Sequence, residues 1–492
     1  MIEPLLCELS QPGRRGFHFP EADVPLAELP DNLTREHLPL PEVSEVDVIR
    51  HFTRLSQLNY SIDTGFYPLG SCTMKYNPKI NEEVARLPGF AYVHPRQPLE
   101  TTQGCLLVMY ELGEWLKEIG GFAGITLQPA AGAQGELTGV LIIRAYHHSR
   151  GDDKRDKILI PDSAHGTNPA TSAMSGMRVV QLPSDARGNI NLDRLRQEAD
   201  ETLAGVMITN PNTLGLFEEN IEEVCEIVHQ AGGLVYGDGA NMNALLGIAK
   251  PGKMGIDVMH YNLHKTFSTP HGGGGPGSGP VGVVEKLVDF LPGPVVEIVE
   301  KGDEDMPPLY GFVTPKHSIG RVKSFFGQFG MMLRAYTYIR VHGPEGLRKI
   351  SEYAVLNANY LLALVKDKYH LPYDRVCMHE FVVEGCWPDV PDIHALDIAK
   401  RQMYYKLHPP TNYFPLIVHE ALMIEPTETE SKQTLDSFAD ALLKIADEAR
   451  TDPDLLKSAP HDTPVGRLDE VKAAKELVLC CAVDFTEPEF VG

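Results

Sequence analysis

LVYGDGA (residues 234–240) and YNLHKTF (residues 261–267) are stretches in which an apolar run ends close to a charged side chain, Asp238 in the first and Lys265 in the second. They overlap the runs 233–237 and 258–263, and similar runs recur at 157–160, 204–209 and 281–284. Between 204–209 and 233–237, Ile221, Val224, Cys225 and Val228 stand at helical spacing within residues 218–230. Strand, helix, strand in that rhythm predicts an α/β chain built on a mainly parallel sheet with helices on both faces. Ligands of such sheets bind beyond the carboxyl ends of the strands, which is where Asp238 and Lys265 fall.

Outward from this centre the texture changes. Residues 1–97 are rich in proline and acidic residues and read as an arm that also carries a substrate-pocket segment; its one periodic stretch is a helix from the N-cap Ser44 to Leu58. Residues 98–343 form the large domain, with further helices expected at 106–119 and 137–148. Residues 344–492 form a smaller C-terminal α+β domain, entered by a long helix from Pro344 through Tyr360 and containing strands at 379–384 and 414–419.

The chain has 492 residues, and 44 basic against 67 acidic side chains leave a net charge of -23, which a phosphate backbone would repel, so nucleic acid is not an expected partner. With 43% apolar and 23% charged residues the composition is that of a globular chain. No basic, apolar leader opens it and no membrane-length apolar run occurs, so the expected location is cytoplasmic. Eight scattered cysteines without CxxC or zinc spacing are expected to be free thiols; the adjacent Cys480 and Cys481 are the one redox candidate.

Two more strings bear on chemistry. PAAGAQGELTGV (residues 129–140) is a small-residue turn opening a helix, whose backbone N–H groups at Gly132, Ala133, Gln134 and Gly135 can hold an anion. PDSAHGTNPA (residues 161–170) brings His165 to the same ledge. Taken singly these are a packing turn, a loop histidine and two solvated charges. Together they fit pyridoxal 5'-phosphate: Lys265 for the aldehyde, the turn for the phosphate, Asp238 for the pyridine nitrogen, His165 stacked on the ring, and Ala240 small enough to let the ring lie close. HGGGGPGSGPVGV (residues 271–283) fits neither phosphate-loop pattern, because Pro276 and Pro280 interrupt it; it reads as a mobile loop or close backbone approach, a candidate gate.

At this point longer strings become specific. SAHGTNPA (163–170), NLHKTF (262–267) with PHGGGGPGSGP (270–280), YPLGSCTMKYNPK (67–79), HPRQPLETTQG (94–104), HPPT (408–411) and EPTE (425–428) resemble glycine decarboxylase, the P-protein family of the glycine cleavage system, over about residues 45–475. The length resembles the second subunit of the split two-chain bacterial form. The resemblance implies an aspartate-aminotransferase-like fold type I, pyridoxal phosphate, and glycine dehydrogenase (aminomethyl-transferring) activity, with glycine as substrate. As partners it implies subunit 1 and the lipoylated H-protein, in an α2β2 assembly.

By the same resemblance Lys265 is the Schiff-base lysine, Asp238 the ring-nitrogen partner, His165 the stacking histidine, and Gly132, Ala133, Gln134 and Gly135 the phosphate cradle. It also points to Thr213 and His264 as cofactor contacts, and to Thr73 and Lys75, within residues 71–75, as substrate contacts. Ala133 stands where many relatives have serine, the tail beyond Val478 matches no family pattern, and Glu136 is expected to face away from a phosphate. Either His165 or Lys265 would move protons. Lys75, Lys316, Arg321 and Lys323 are a candidate docking patch for an acidic carrier. The competing readings are a catalytically silent scaffold subunit and another fold type I enzyme, an aminotransferase or a cysteine desulfurase.

Overall fold

Seven strands carry the molecule: β1 Gly124–Thr126, β2 Lys157–Pro161, β3 Arg178–Leu182, β4 Leu203–Thr209, β5 Leu234–Gly239, β6 Val258–Tyr261 and β7 Val281–Val283, in the spatial order β1-β7-β6-β5-β4-β2-β3. The pairs β2–β3, β2–β4, β4–β5 and β5–β6 are parallel, whereas β7 runs antiparallel to both β6 and β1. The computed structural model describes residues 3–34, 40–271, 277–303 and 306–479. The centre of the glycine-rich loop, Cys480, Cys481 and the tail after them lie outside the described residues.

Why the strands read as unbroken apolar runs is visible in their packing. Successive side chains of a strand point to opposite faces. Leu159, Val206, Ile208 and Val235 enter one apolar cluster with Leu112 and Leu116 of the helix Gln103–Gly120 and Val224 and Val228 of the helix Ile221–Gln230. Their neighbours Ile158, Ile160, Met207 and Tyr236 enter another, with Val140, Ile142 and Ile143 of the helix Gly132–Ser149. Both faces are covered, so neither needs polar residues. The helix Gly132–Ser149 lies so close to the sheet that a Cβ on Gly139 would sit 2.4 Å from the Tyr236 ring.

A second sheet joins Phe381–Glu384, Ala421–Ile424 and Thr411–Asn412, all antiparallel, with Phe381, Val383, Leu422 and Ile424 buried against the second half of the helix Phe329–Val365 and the helix Lys432–Thr451. That long helix begins well before Pro344: it is broken at Gly343, whose φ of 62° leaves the helical region, and resumes at Pro344, a residue suited to a first helical turn. Residues 414–419, expected as a strand, are turns. Pro415 has no N–H to give to a ladder and its carbonyl accepts from Val418 N, so the strand forms at Ala421–Ile424 instead.

The chain forms two compact units, Phe66–Lys457 and the pair of terminal segments Met1–Gly65 with Ser458–Gly492. In the latter, the helix Glu45–Leu58 begins as expected at Ser44, which exchanges hydrogen bonds with Asp47 in a capping box, and Glu3 is held by Arg54 and His51. Among the described residues no helix is long and apolar enough to cross a membrane.

Candidate active site

Beyond the carboxyl ends of β4, β5 and β6 lies a cavity of about 260 Å³. Asp238, the penultimate residue of β5, lines it and is buried. Its Oδ1 accepts from Ala240 N at 3.0 Å and its Oδ2 from Asn168 Nδ2 at 3.3 Å, with His260 Nε2 3.5 Å away. Burial alone would raise this carboxyl, but His260, the Ala240 N–H, Lys265 and Asn168 outweigh it and hold it below its ordinary value. His260 is itself lowered, chiefly by burial and against the pull of Asp238, and its Nδ1 lies 2.5 Å from the Tyr236 hydroxyl.

Lys265 follows β6 and faces the same cavity, its Nζ donating to Ser71 O at 2.8 Å. Ser71 has a left-handed φ of 65°, and its own N–H donates to Glu380 Oε2 at 2.8 Å. The residue before it has no room for a side chain: a Cβ on Gly70 would meet Met423 Cγ at 2.2 Å, and Gly70 O accepts from Thr411 Oγ1. The small sheet thus pins the backbone against which Lys265 rests.

The third element is the start of the helix Gly132–Ser149. Ala131 ahead of it is extended and provides no side-chain cap. Gly135 N is already used inside the helix, on Ala131 O at 2.9 Å, which leaves the first-turn N–H groups of Gly132, Ala133 and Gln134 for an anion. A Cβ on Gly132 would stand 2.5 Å from Asn262 Oδ1, a buried acceptor with no hydrogen-bond partner among the described residues. An uncapped helix start, a lysine and an ionised aspartate in one cavity fit pyridoxal phosphate.

Not every expected residue has the expected setting. Gly132, Ala133, His165, Thr213, Asp238, Ala240, His264 and Lys265 line the cavity. Gly135 instead serves close packing, since a Cβ there would meet Gly279 O and His260 Cβ at 2.9 Å. The Gln134 side chain is held by Ala130 N and Val322 O. The Thr213 hydroxyl donates to Ser163 O, and the His264 ring, lowered to about 3 chiefly by burial, accepts from Ser278 N. His165 lies edge-on to Phe414 with Nδ1 2.9 Å from Thr167 Oγ1, and desolvation lowers its pKa.

Thr73 and Lys75 stand behind the cavity wall. Thr73 donates to Glu425 Oε1, and Lys75, only 2% exposed, pairs with Glu428 at 2.8 Å and with Tyr338 Oη at 3.1 Å. A lysine so enclosed does not belong to a surface docking patch. Glu136 faces inward, contrary to expectation: it lines the cavity and accepts from Thr167 and Thr171, its pKa raised by burial and then by Asp238. Sequence reading also missed His379 and Glu380, which line the cavity from the small sheet, and the role of Glu425 beside them.

Comparison with known proteins agrees with this geometry. Residues 137–274 match the aminotransferase class-V family, and residues 350–461 match the family described as glycine dehydrogenase, C-terminal domain. The chain is 58% identical over 480 residues to a probable glycine dehydrogenase (decarboxylating) subunit 2 of Alkaliphilus oremlandii, covering 96% of this chain and 97% of that one. A protein of the same description from Listeria monocytogenes is 54% identical over 484 residues, covering 97% of each. Among solved structures, glycine decarboxylase (P-protein) of the glycine cleavage system in an inhibitor-bound form superposes with a TM-score of 0.72 at 21% identity, over 85% of this chain and 93% of that one. A cysteine desulfurase from Thermococcus onnurineus reaches 0.57 at 16% identity, over 77% and 93%. The fold is the expected fold type I, and the chain is pyridoxal-phosphate-dependent. It belongs to the glycine dehydrogenase (decarboxylating) subunit 2 family.

Proposed function

We propose that this chain carries the cofactor of a two-chain glycine decarboxylase, working with a subunit 1 and passing the aminomethyl group to a lipoylated carrier, the H-protein. The subunit numbering of the relatives supports the partner chain; the α2β2 assembly and the cytoplasmic location belong to the same proposal. The observation that carries the reading is the meeting of Lys265, Asp238 and the uncapped start of the helix Gly132–Ser149 in one cavity.

When bound, pyridoxal phosphate supplies an aldehyde that captures glycine's amine and a ring that takes up the electron pair left when CO2 departs. The chain's residues prepare each part. N–H groups of Gly132, Ala133 and Gln134 hold the phosphate without a serine hydroxyl at position 133. Asp238, kept ionised, holds the ring nitrogen protonated and so strengthens the electron sink. His165 would cover a ring face, with Thr213, Ala240 and His264 lining the rest of the cavity. Lys265, whose amine faces the cavity, would hold the cofactor's aldehyde and give way to glycine's amine. Reduction of the lipoyl disulfide makes the step an oxidoreduction without a nicotinamide.

Co-expression with subunit 1, followed by assay with H-protein, tests the reading. Glycine-dependent exchange of labelled CO2 into the carboxyl group is expected; its absence with all three proteins and cofactor present overturns the assignment.

A further inference from the structure

Opposite Lys265, the small sheet contributes a cluster that the mechanism above does not use. His379, Glu380 and Glu425 bring their polar atoms within 4.8 Å of one another. They are 2%, 3% and 0% exposed. The register explains why the carboxyls meet: Phe381 pairs with Ile424, so one further step along these antiparallel strands sets Glu380 across from Glu425. Like charges directly opposite on a sheet are unfavourable, and burial makes them more so.

The hydrogen bonds are lopsided. Glu425 Oε1 accepts from Thr73 Oγ1 at 2.8 Å and from Asn241 and Asn243 Nδ2 at 2.9 Å each, while its Oε2 is buried with no partner among the described residues. Glu380 Oε2 accepts from Ser71 N, and its Oε1 lies 3.6 Å from His379 Nε2, a ring that among the described residues has no hydrogen bond at either nitrogen. Each carboxyl thus has one oxygen on fixed N–H or O–H donors, while Glu425 Oε2 is left over and Glu380 Oε1 faces only the His379 ring at 3.6 Å, an arrangement suited to a single proton.

The groups facing the pair supply little opposing charge. Lys265 is the nearest free cation, reached through Ser71, while Lys75 is already paired with Glu428 on the far side of Asn243. His379 is lowered to about 3 by burial and is neutral; the thiols of Cys72 and Cys377 are raised by burial and are neutral too. Burial and mutual repulsion raise Glu380, and burial, only partly offset by its donors, raises Glu425.

We propose that Glu380 and Glu425 share one proton at neutral pH and form a second acid–base site of the reaction, joined to the Lys265 amine through the N–H and C=O of Ser71. The inference rests on the proposed aminomethyl transfer, which needs such a proton. As CO2 leaves, the C–C bonding pair stays with glycine's α-carbon and forms a C–S bond. The S–S bond of the lipoyl disulfide breaks, and the departing sulfur, now a thiolate, takes up one proton. Glu380 lines the cavity, so the pair keeps that proton inside and is refilled from water.

The test uses the cofactor-loaded complex with subunit 1, carrying carbon-13-labelled glutamate. Infrared difference spectra at pH 7 are expected to contain the carbonyl stretch of a protonated carboxyl, shifted or lost in both Glu380→Gln and Glu425→Gln, since each variant removes one of the two carboxyls that share the proton. No such band in the unaltered protein, an unshifted band in either variant, or a stoichiometric divalent ion on metal analysis overturns the proposal. Circular dichroism and the cofactor absorption check that each variant is folded and loaded; Glu425→Asp, a shorter carboxyl, is expected to restore the band if Glu425→Gln fails to load. In aminomethyl transfer, each Gln variant is expected to lose about tenfold in rate and to lose the alkaline limb of the pH profile; an unchanged profile overturns the catalytic role. If the unaltered complex transfers nothing, the functional reading fails by itself, while the infrared result still decides whether the proton is shared.

Discussion

Asp238 and Glu425 are both buried carboxylates at or just past the end of a strand, both within reach of the Lys265 charge, and their surroundings drive them in opposite directions. Asp238 receives a backbone N–H on one oxygen and an amide N–H on the other, with Lys265 nearby, and stays ionised. Glu425 is pushed toward the neutral acid by burial, which three donors crowded on one oxygen only partly offset; among the described residues its other oxygen has no hydrogen-bond partner. Pairs of titratable groups whose environments separate their pKa values mark acid and base assignments. Burial pushes both carboxyls up; what differs is that the donors and charges around Asp238 outweigh it and those around Glu425 do not.

Several changes would break or sharpen that contrast. The largest effect is expected from Lys265→Ala, which removes the covalent anchor: glycine-dependent CO2 release should fall by about a thousandfold or more. A variant retaining a tenth of the rate would show that some other amine serves. Asp238→Asn should lower the same rate by roughly 10²- to 10³-fold with the cofactor still bound, since an amide cannot keep the ring nitrogen charged. Near-normal turnover in that variant would remove the distinction between the two carboxyls.

Stability against pH gives the contrast a sign. Glu380 and Glu425 are raised in the folded chain from an ordinary value of 4.5, so their contribution is full below that value and is lost as pH rises through the folded values. Asp238, lowered from 3.8, contributes above that value and loses its contribution as pH falls. Melting temperatures across mildly acidic to alkaline pH should therefore decline less steeply in Glu380→Gln than in the unaltered chain; an equal slope would mean that the glutamate is already ionised. Asn243→Ala, which strips one donor from Glu425, is expected to cost about 1–3 kcal/mol in denaturant unfolding. The smallest effect is expected at the surface: Arg321→Glu should weaken carrier binding a few-fold at low salt, and unchanged affinity would remove Arg321 from the docking face.

The two sides of the site also differ in how far the sequence revealed them. Asp238, Lys265 and the turn at Gly132 announce themselves locally, because apolar runs ending near charges and a small-residue helix start have a direct structural meaning. Glu380 and Glu425 do not. Their meeting depends on the register Phe381↔Ile424, and the apolar stretch at 414–419, interrupted by Pro415, drew attention away from the strand Ala421–Ile424 that sets it. Thr73 and Lys75 sit in a correctly recognised stretch, but their burial follows from Glu425 and Glu428, residues some 350 positions away. Gly135 looked like part of an anion cradle; its N–H closes the first helical turn instead.

Borohydride reduction of the cofactor-loaded chain, followed by proteolysis and mass mapping of the pyridoxyl group, tests the central claim most directly. The label is predicted on the peptide containing Lys265, and in the Lys265→Ala variant it should disappear from the chain. A label on any other lysine, or none on the unaltered protein, would contradict the account.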